Sequence, residues 1–337
     1  MKEGAAKRIL LLGSDFPMEE FEGVAEHAEV HRLSELKDDE LDALLPSVDC
    51  LLVQLWPGRL DRARVARMSR LSLVQSGLAG VNHVPFGALP GGVVVCSNAG
   101  GYSDEVAEFA WGLLLSAAKR IVRFDAAMRQ KGFVRPPTPE LGREVLVLKG
   151  RTLGVIGYGG IGRGVARIGR SFGMEVAALA RRPAGEGEEA PGIAVLRGRE
   201  GLERVLRDSD ALVLAVPLNG STRGMIGRAE LSTMKRDAVL VNVARAEVVD
   251  EDAIYEHLVA NAGFCYATDV WWAGADGEES YSPRRPLLEL GNFIGTPHAS
   301  GPSAVAGRGP LRAAVQNVLR YFRGEEVLNV VDRSEYA

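Results

Sequence analysis

One stretch restricts the folds open to this chain more than any other: Thr152-Leu-Gly-Val-Ile-Gly-Tyr-Gly-Gly-Ile-Gly162. The apolar run Leu153–Ile156 predicts a buried strand, and it runs straight into Gly157, Gly159 and Gly162, spaced G-x-G-x-x-G. A helical pattern follows, with Val165, Ile168, Gly169 and Phe172 on one face. Each glycine has its own physical reason. Gly157 permits a tight turn out of the strand. Gly159 has no Cβ, so a pyrophosphate can reach the backbone, and Gly162 lets the helix lie close to the strand. The unpaired N–H groups and the dipole at the helix start favour an anion. Alone, G-x-G-x-x-G also describes a flexible glycine loop. Strand, glycines and helix in this order point to dinucleotide binding.

Short apolar runs alternate with helical patterns along the rest of the chain, the signature of βαβ units and a parallel sheet. Before the glycine turn, strands are predicted at Arg8–Leu12, Cys50–Gln54, Leu73–Gln75 and Val93–Cys96, with a helix at Leu60–Ser69. One long helix is predicted from Ser103 to about Gln130, capped by Ser103, with Asp104 and Glu105 in its first turn. The proline-rich stretch Gly132-Phe-Val-Arg-Pro-Pro-Thr-Pro139 cannot continue it. After the turn, strands are predicted at Leu153–Ile156, Glu175–Leu179, Ala211–Val216, Val239–Val243, Phe264–Asp269 and Phe293–Gly295. A last helix, Ser303 to Phe322, with a break or kink near Pro310, precedes a short strand Val327–Val331. The Gly/Glu-rich stretch Arg182–Pro191 reads as an exposed loop.

The fold class expected is α/β in two domains: a Rossmann-type doubly wound parallel sheet at 101–299 and a second domain built from 1–100 and 300–337. With 337 residues, each domain can bury a core. A net charge of −4, with arginines scattered among acids, gives no case for nucleic acid. No apolar run approaches a membrane span, and Ile9–Leu12 is too short for a signal-peptide core. Cys50, Cys96 and Cys265 sit in apolar strand-like runs without metal-ligand spacing, so no metal is expected, and buried thiols suit a reducing cytoplasm.

Three further segments each put a polar residue just past a predicted strand, at the edge where open α/β sheets bind ligands. They are Val241-Asn-Val-Ala-Arg245, Ala267-Thr-Asp269 and Thr296-Pro-His298-Ala-Ser-Gly301. Together with the glycine turn, with Gln75-Ser-Gly-Leu-Ala-Gly80 and with Asn98-Ala-Gly-Gly-Tyr-Ser-Asp-Glu-Val-Ala-Glu108, they make the chain resemble the D-isomer-specific 2-hydroxyacid dehydrogenases. The resemblance spans roughly residues 70 to 331. It implies a flavodoxin-like substrate domain beside the Rossmann domain, a cleft between them, and a homodimer formed through the cofactor domain. It also implies reversible hydride transfer between NAD(P) and a small 2-keto or D-2-hydroxy acid, in the manner of a glyoxylate or hydroxypyruvate reductase.

Residue roles follow from the same resemblance. His298 would be the acid/base, Arg245 would hold the substrate's carboxylate and keto oxygen, and backbone amides near Leu78, Ala79 and Gly80 would grip the carboxylate. The cofactor would meet Gly157, Gly159, Gly160, Ile161, Gly162, Val216, Pro217, Val243, Ala244 and Asp269, the last at the nicotinamide amide. A strand-end cap is the alternative for Asp269. Physics favours the residue types: histidine titrates near neutral pH, and the arginine fork matches a carboxylate and a developing oxyanion. Trp271 and Trp272 are core, interface or site wall. Trp56 and Arg59 line either the pocket or a surface loop, and in the pocket Arg59 would favour a second anionic group.

Two departures from the pattern matter. The glutamate that usually follows the aspartate by five positions, and partners the histidine, is Gly274 here. Glu278 or Glu279 substitutes if the loop bulges, with Asp276 a third candidate; otherwise His298 has no carboxylate partner. The second strand of the dinucleotide unit ends Ala178-Leu-Ala-Arg181-Arg182, with no acid for a ribose 2′-hydroxyl. Arg181 and Arg182 could pair with a 2′-phosphate instead, which predicts NADP over NAD. The rival readings are a catalytically weak dinucleotide-binding regulator of the same fold and a formate or phosphite enzyme on the same scaffold.

Overall fold

A computed structural model of the chain describes residues 6–13, 16–133, 145–181, 192–272, 283–301 and 308–336. The chain divides into two compact units, Met1–Tyr102 with Ser303–Ala337, and Ser103–Pro302.

The first unit holds β1 (Lys7–Leu12), β2 (Ala28–Arg32), β3 (Cys50–Val53), β4 (Leu73–Ser76) and β5 (Val94–Cys96). They form a parallel sheet in the order β2-β1-β3-β4-β5, the flavodoxin-like order. Its central strands are apolar on both faces, as a covered parallel sheet requires. Leu10, Leu12, Leu51 and Val53 pack with residues of α1 (Asp38–Leu44) and α2 (Arg62–Ala66). Ile9, Leu11, Cys50 and Leu52 pack on the other side against Leu311, Ala314, Val315 and Val318 of the C-terminal helix Gly309–Phe322. Pro310 lies in the first turn of that helix, where its missing N–H costs no bond. It therefore starts the helix rather than kinking it, while 302–307 lie outside the described residues. The predicted strand Val327–Val331 reduces to one antiparallel bridge, Val330 to Cys96, beside a left-handed Asn329 at φ 57°.

The second unit begins with α3 (Ser103–Ala118) and α4 (Ile121–Lys131), not one continuous helix. Arg120 between them is left-handed (φ 53°), and its guanidinium donates to Gly263 O at 2.6 Å. That reversal ends the helical hydrogen-bond ladder. Then come β6 (Thr152–Ile156), α5 (Gly160–Ser171), β7 (Glu175–Leu179), β8 (Ile193–Leu196), α6 (Gly198–Asp208), β9 (Ala211–Leu214), α7 (Arg228–Thr233), β10 (Val239–Asn242), α8 (Glu251–Ala260), β11 (Cys265–Thr268) and β12 (Phe293–Gly295). The sheet order is β12-β11-β10-β9-β6-β7-β8, all parallel, with the Rossmann reversal between β6 and β9. Leu179, Ile156, Leu214, Asn242, Thr268 and Gly295 are cross-strand partners in one row. The residues that follow each of them therefore emerge along a single edge, about 4.8 Å apart from strand to strand.

Candidate functional site

The glycine turn lies at that edge, and its packing shows why glycines stand there. Gly157 has φ +100°, and a Cβ there would lie 2.5 Å from Ala215 O and 2.9 Å from Val216 N, across the switch between β6 and β9. A Cβ on Gly162 would collide with Gly157 O. Gly159 is extended (φ −88°, ψ −159°) and faces open space, and a Cβ there would meet nothing within 4 Å. Two glycines are thus demanded by packing, and the third leaves a bare approach to the N-terminus of the 12-residue α5. Gly160 and Ile161 form its first turn. Val216 and Pro217 follow β9 at the same edge. Past β7, Ala180 donates its amide to Leu196 O (3.0 Å) and is followed by an exposed Arg181. Arg182 lies outside the described residues.

Two strands from the switch, β10 ends in Asn242, which is fully buried and shapes the next turn. Its Oδ1 accepts from Ala244 N (3.0 Å), and its Nδ2 donates to Arg245 O (3.0 Å) and to the Tyr266 hydroxyl (3.3 Å). Burial pushes the Tyr266 phenol up to about 12, against hydrogen bonds with Thr268 and Asn242, so the ring stays neutral. Val243 and Ala244 are buried in this turn, and it delivers a half-buried Arg245 to the edge. The Arg245 guanidinium donates to Ala244 O at 2.7 Å. Its five N–H groups leave a planar fork for a carboxylate.

The histidine loop follows β12. Thr296 N donates to Thr268 O (3.0 Å), and Thr296 O accepts from the Trp271 indole (2.7 Å) and from His298 N (3.0 Å). His298 is exposed and left-handed, with φ 52°. Asp269 lies beneath it, fully buried, and accepts from Thr296 Oγ1 (2.6 Å), Ala299 N (2.9 Å) and Ser300 N (2.8 Å). Glycine turn, arginine turn and histidine loop therefore leave one edge of one sheet.

The loop after β4 belongs to the first unit. Ser76 Oγ accepts from Leu78 N (3.0 Å) and donates to Leu78 O (2.8 Å), and Asn98 N also donates to Leu78 O (3.0 Å). The Leu78 amide is thus occupied inside the loop. The amides of Ala79 and Gly80 have no hydrogen-bond partner among the described residues. Below the loop, a buried Gln75 accepts from Asn317 Nδ2 (2.7 Å) and donates to Ser76 O (2.8 Å). No helix among the described residues is long and apolar enough to cross a membrane, and no His, Cys, Asp or Glu cluster among them could hold a metal.

The comparisons with known proteins agree with this geometry. The family model of the D-isomer specific 2-hydroxyacid dehydrogenase NAD-binding domain matches residues 111–300. The chain belongs to that family. The glyoxylate reductase of Thermococcus gammatolerans is 33% identical over 321 residues, 91% of each chain. The hydroxypyruvate reductase of Thermotoga maritima is 31% identical over 306 residues, 90% of this chain and 91% of that protein. A solved D-isomer specific 2-hydroxyacid dehydrogenase from Xanthobacter autotrophicus Py2, in complex with NADPH and MES, has a TM-score of 0.76 at 26% identity, covering 99% of this chain and all (100%) of that one.

The dehydrogenase is therefore an oxidoreductase whose cofactor is a nicotinamide dinucleotide, and the regulatory alternative finds no support among these relatives. Several positions gain a definite setting. Trp271 is core, its indole fixing the Thr296 carbonyl, and Trp272 donates to Val249 O at 3.1 Å. Arg59 is not a spare cation: it donates to Leu33 O (3.3 Å), Leu36 O (3.0 Å) and Asp38 (2.9 Å), tying a surface loop. Trp56 donates to Leu60 O (2.9 Å) in the same region. Asp276, Glu278 and Glu279 lie outside the described residues. Asn242, Ser76 and Thr296 escaped sequence reasoning because a polar residue at a strand end carries no periodic signal. All three stand inside the motifs quoted above, and that was the available clue.

Proposed function

We propose that the dehydrogenase reduces a small 2-keto acid, with glyoxylate and hydroxypyruvate the leading substrates, and that it prefers NADPH to NADH. The observation that carries the reading is the in-register row of strand ends, which sends the dinucleotide turn, Arg245 and His298 out along one edge. When bound, the nicotinamide supplies the hydride. His298 delivers a proton to the keto oxygen as that oxygen gains charge, and takes it back in the oxidative direction. Arg245 holds the carboxylate by one edge of its fork and stabilises the developing oxyanion. The unpartnered amides of Ala79 and Gly80 offer further donors to the carboxylate. Asp276, Glu278 or Glu279 would be the carboxylate that partners the imidazole.

The cofactor preference rests on residue type. Ala180 stands where a ribose-binding acid is expected, and Arg181 follows it. A 2′-phosphate gains a charge-assisted bond there, whereas a 2′-hydroxyl gains no acceptor. We further read the protein as a cytoplasmic homodimer. Its three cysteines, Cys50, Cys96 and Cys265, are free and buried. Helix α4 buries none of its residues and shows Ile121, Val122 and Met128 at 52%, 50% and 42% exposure, which suits a subunit contact. The test is nucleotide oxidation across a panel of 2-keto acids with each cofactor. Turnover of glyoxylate or hydroxypyruvate with a higher kcat/KM for NADPH is expected. Tight NADPH binding with no turnover on any acid would refute the substrate reading, and a kcat/KM for NADH equal to or above that for NADPH would refute the preference.

A further inference from the structure

His298 occupies a conformation that costs an L-residue energy, and such residues persist only where their surroundings over-determine them. The surroundings are specific here. Asp269 follows β11, is fully buried, and directs both carboxylate oxygens into the histidine loop. Oδ1 accepts from the Thr296 hydroxyl (2.6 Å) and from Ala299 N (2.9 Å), and Oδ2 accepts from Ser300 N (2.8 Å). The donors lie on both sides of His298 in sequence, so the loop is pinned before and after the strained residue. The anchor is itself fixed: Asp269 N donates to Asn242 O (3.1 Å), and Asn242 shapes the Arg245 turn.

We propose that Asp269 is a positioning residue for His298, its buried carboxylate acting as a template that holds the loop left-handed and aims the imidazole. The role differs from contact with the nicotinamide amide, and it needs an acceptor-only group. An asparagine of the same shape would turn an NH₂ either toward Ser300 N–H or toward the Ala299 N–H and the Thr296 hydroxyl. Donor would then face donor inside a dry site. The hydrogen bonds from Asp269 N to Asn242 and from Asn242 to the arginine turn extend the same scaffold to Arg245, so one buried pair sets both turns. The inference rests on the reading of His298 as acid/base, and the experiment separates the two.

Asp269→Asn, Thr296→Val and His298→Ala would be compared in the full-length enzyme by three readouts: kcat at saturating NADPH, NADPH affinity by fluorescence titration, and hydrogen–deuterium exchange without cofactor. Misaiming the imidazole by about 1 Å predicts a fall of about 100-fold in kcat for Asp269→Asn. NADPH affinity should stay near wild type. The Ala299 and Ser300 amides should exchange faster while β10 and β11 stay protected. Thr296→Val, which keeps the carboxylate and both amide bonds, should show a smaller fall in kcat. Weakened NADPH binding with kcat intact at saturation would make Asp269 a nicotinamide ligand and overturn the proposal. So would unchanged kcat and exchange. If Asp269→Asn exposes β10 and β11, its fold is lost and Thr296→Val decides: an unchanged kcat there overturns the proposal. Full turnover by His298→Ala would sink the acid/base reading alone, since the exchange data report the anchoring independently.

Discussion

Alanine at two glycines of the same turn should give opposite phenotypes. At Gly162 a Cβ collides with Gly157 O and comes within 3.1 Å of Val155 Cγ1. Neither neighbour can yield, since one is backbone in the turn and the other is a buried side chain of β6. Overpacking of this kind costs about 2 kcal/mol, or roughly 4–8 °C in Tm for a domain of this size. At Gly159 the backbone is extended and a Cβ meets nothing within 4 Å. Two small terms of opposite sign, about 0.5 kcal/mol each, nearly cancel: a poorer helix N-cap against a less flexible unfolded chain. The fold should be untouched. The new methyl would, however, stand where the pyrophosphate approaches. An intruding methyl costs about 1–3 kcal/mol, which is about 5- to 150-fold in NADPH Kd. Differential scanning fluorimetry and fluorescence titration on both variants measure the two quantities separately. A Gly159→Ala enzyme that binds NADPH like wild type would refute the path assigned to the pyrophosphate. A Gly162→Ala enzyme with wild-type Tm would refute the packing account.

Other outcomes are expected elsewhere. Asp210 at the start of β9 is buried, which by itself raises its pKa. The Thr152 amide (2.9 Å), Lys235 (2.9 Å) and Arg151 (3.2 Å) outweigh that and hold the carboxyl below its ordinary value. Its stabilisation should be full above the unfolded carboxylate pKa of about 4 and fade as pH falls through the lower folded value. Asp210→Ala should therefore lose about 2 kcal/mol in urea unfolding at pH 7 and lose less at pH 3. An equal loss at both pH values would contradict the linkage. Arg181→Ala should lower the NADPH-to-NADH ratio of kcat/KM by about tenfold, the equivalent of one charge-assisted bond, and an unchanged ratio would remove Arg181 from the site. Val122→Asp should shift the protein toward monomer in sedimentation velocity, and a wild-type profile would place the subunit contact away from α4.

The reach of the sequence can be traced residue by residue. The central strands of both sheets announce themselves because they are apolar on both faces, and the motif residues follow because strand ends share one edge. Two of the four edge strands, β5 and β12, are also legible, but the other two are not. β2 (Ala-Glu-Val-His-Arg) and β8 (Ile-Ala-Val-Leu) are short and half-exposed, and β2 is charged, so their apolar signal is diluted. The break at Arg120 was equally hidden, since arginine is a good helix former and the bond to Gly263 O that accompanies the left-handed turn is tertiary. Arg59 illustrates the reverse failure: an arginine after a strand invites a ligand, yet two backbone carbonyls and Asp38 hold it. Asp269 was legible as a residue to watch. That its acceptors serve the His298 loop depends on the alignment of β11 with β12, which sequence spacing does not convey.

The acid/base assignment of His298 bears the most weight, and single-turnover reduction of glyoxylate by enzyme preloaded with NADPH tests it most directly. With His298→Ala, the rate of NADPH oxidation should fall by about 100- to 10,000-fold, the span of general acid catalysis, while NADPH binding stays at the wild-type level. A variant that retained more than about a tenth of the wild-type rate would contradict the account, because a positioned general acid typically contributes about 100-fold or more.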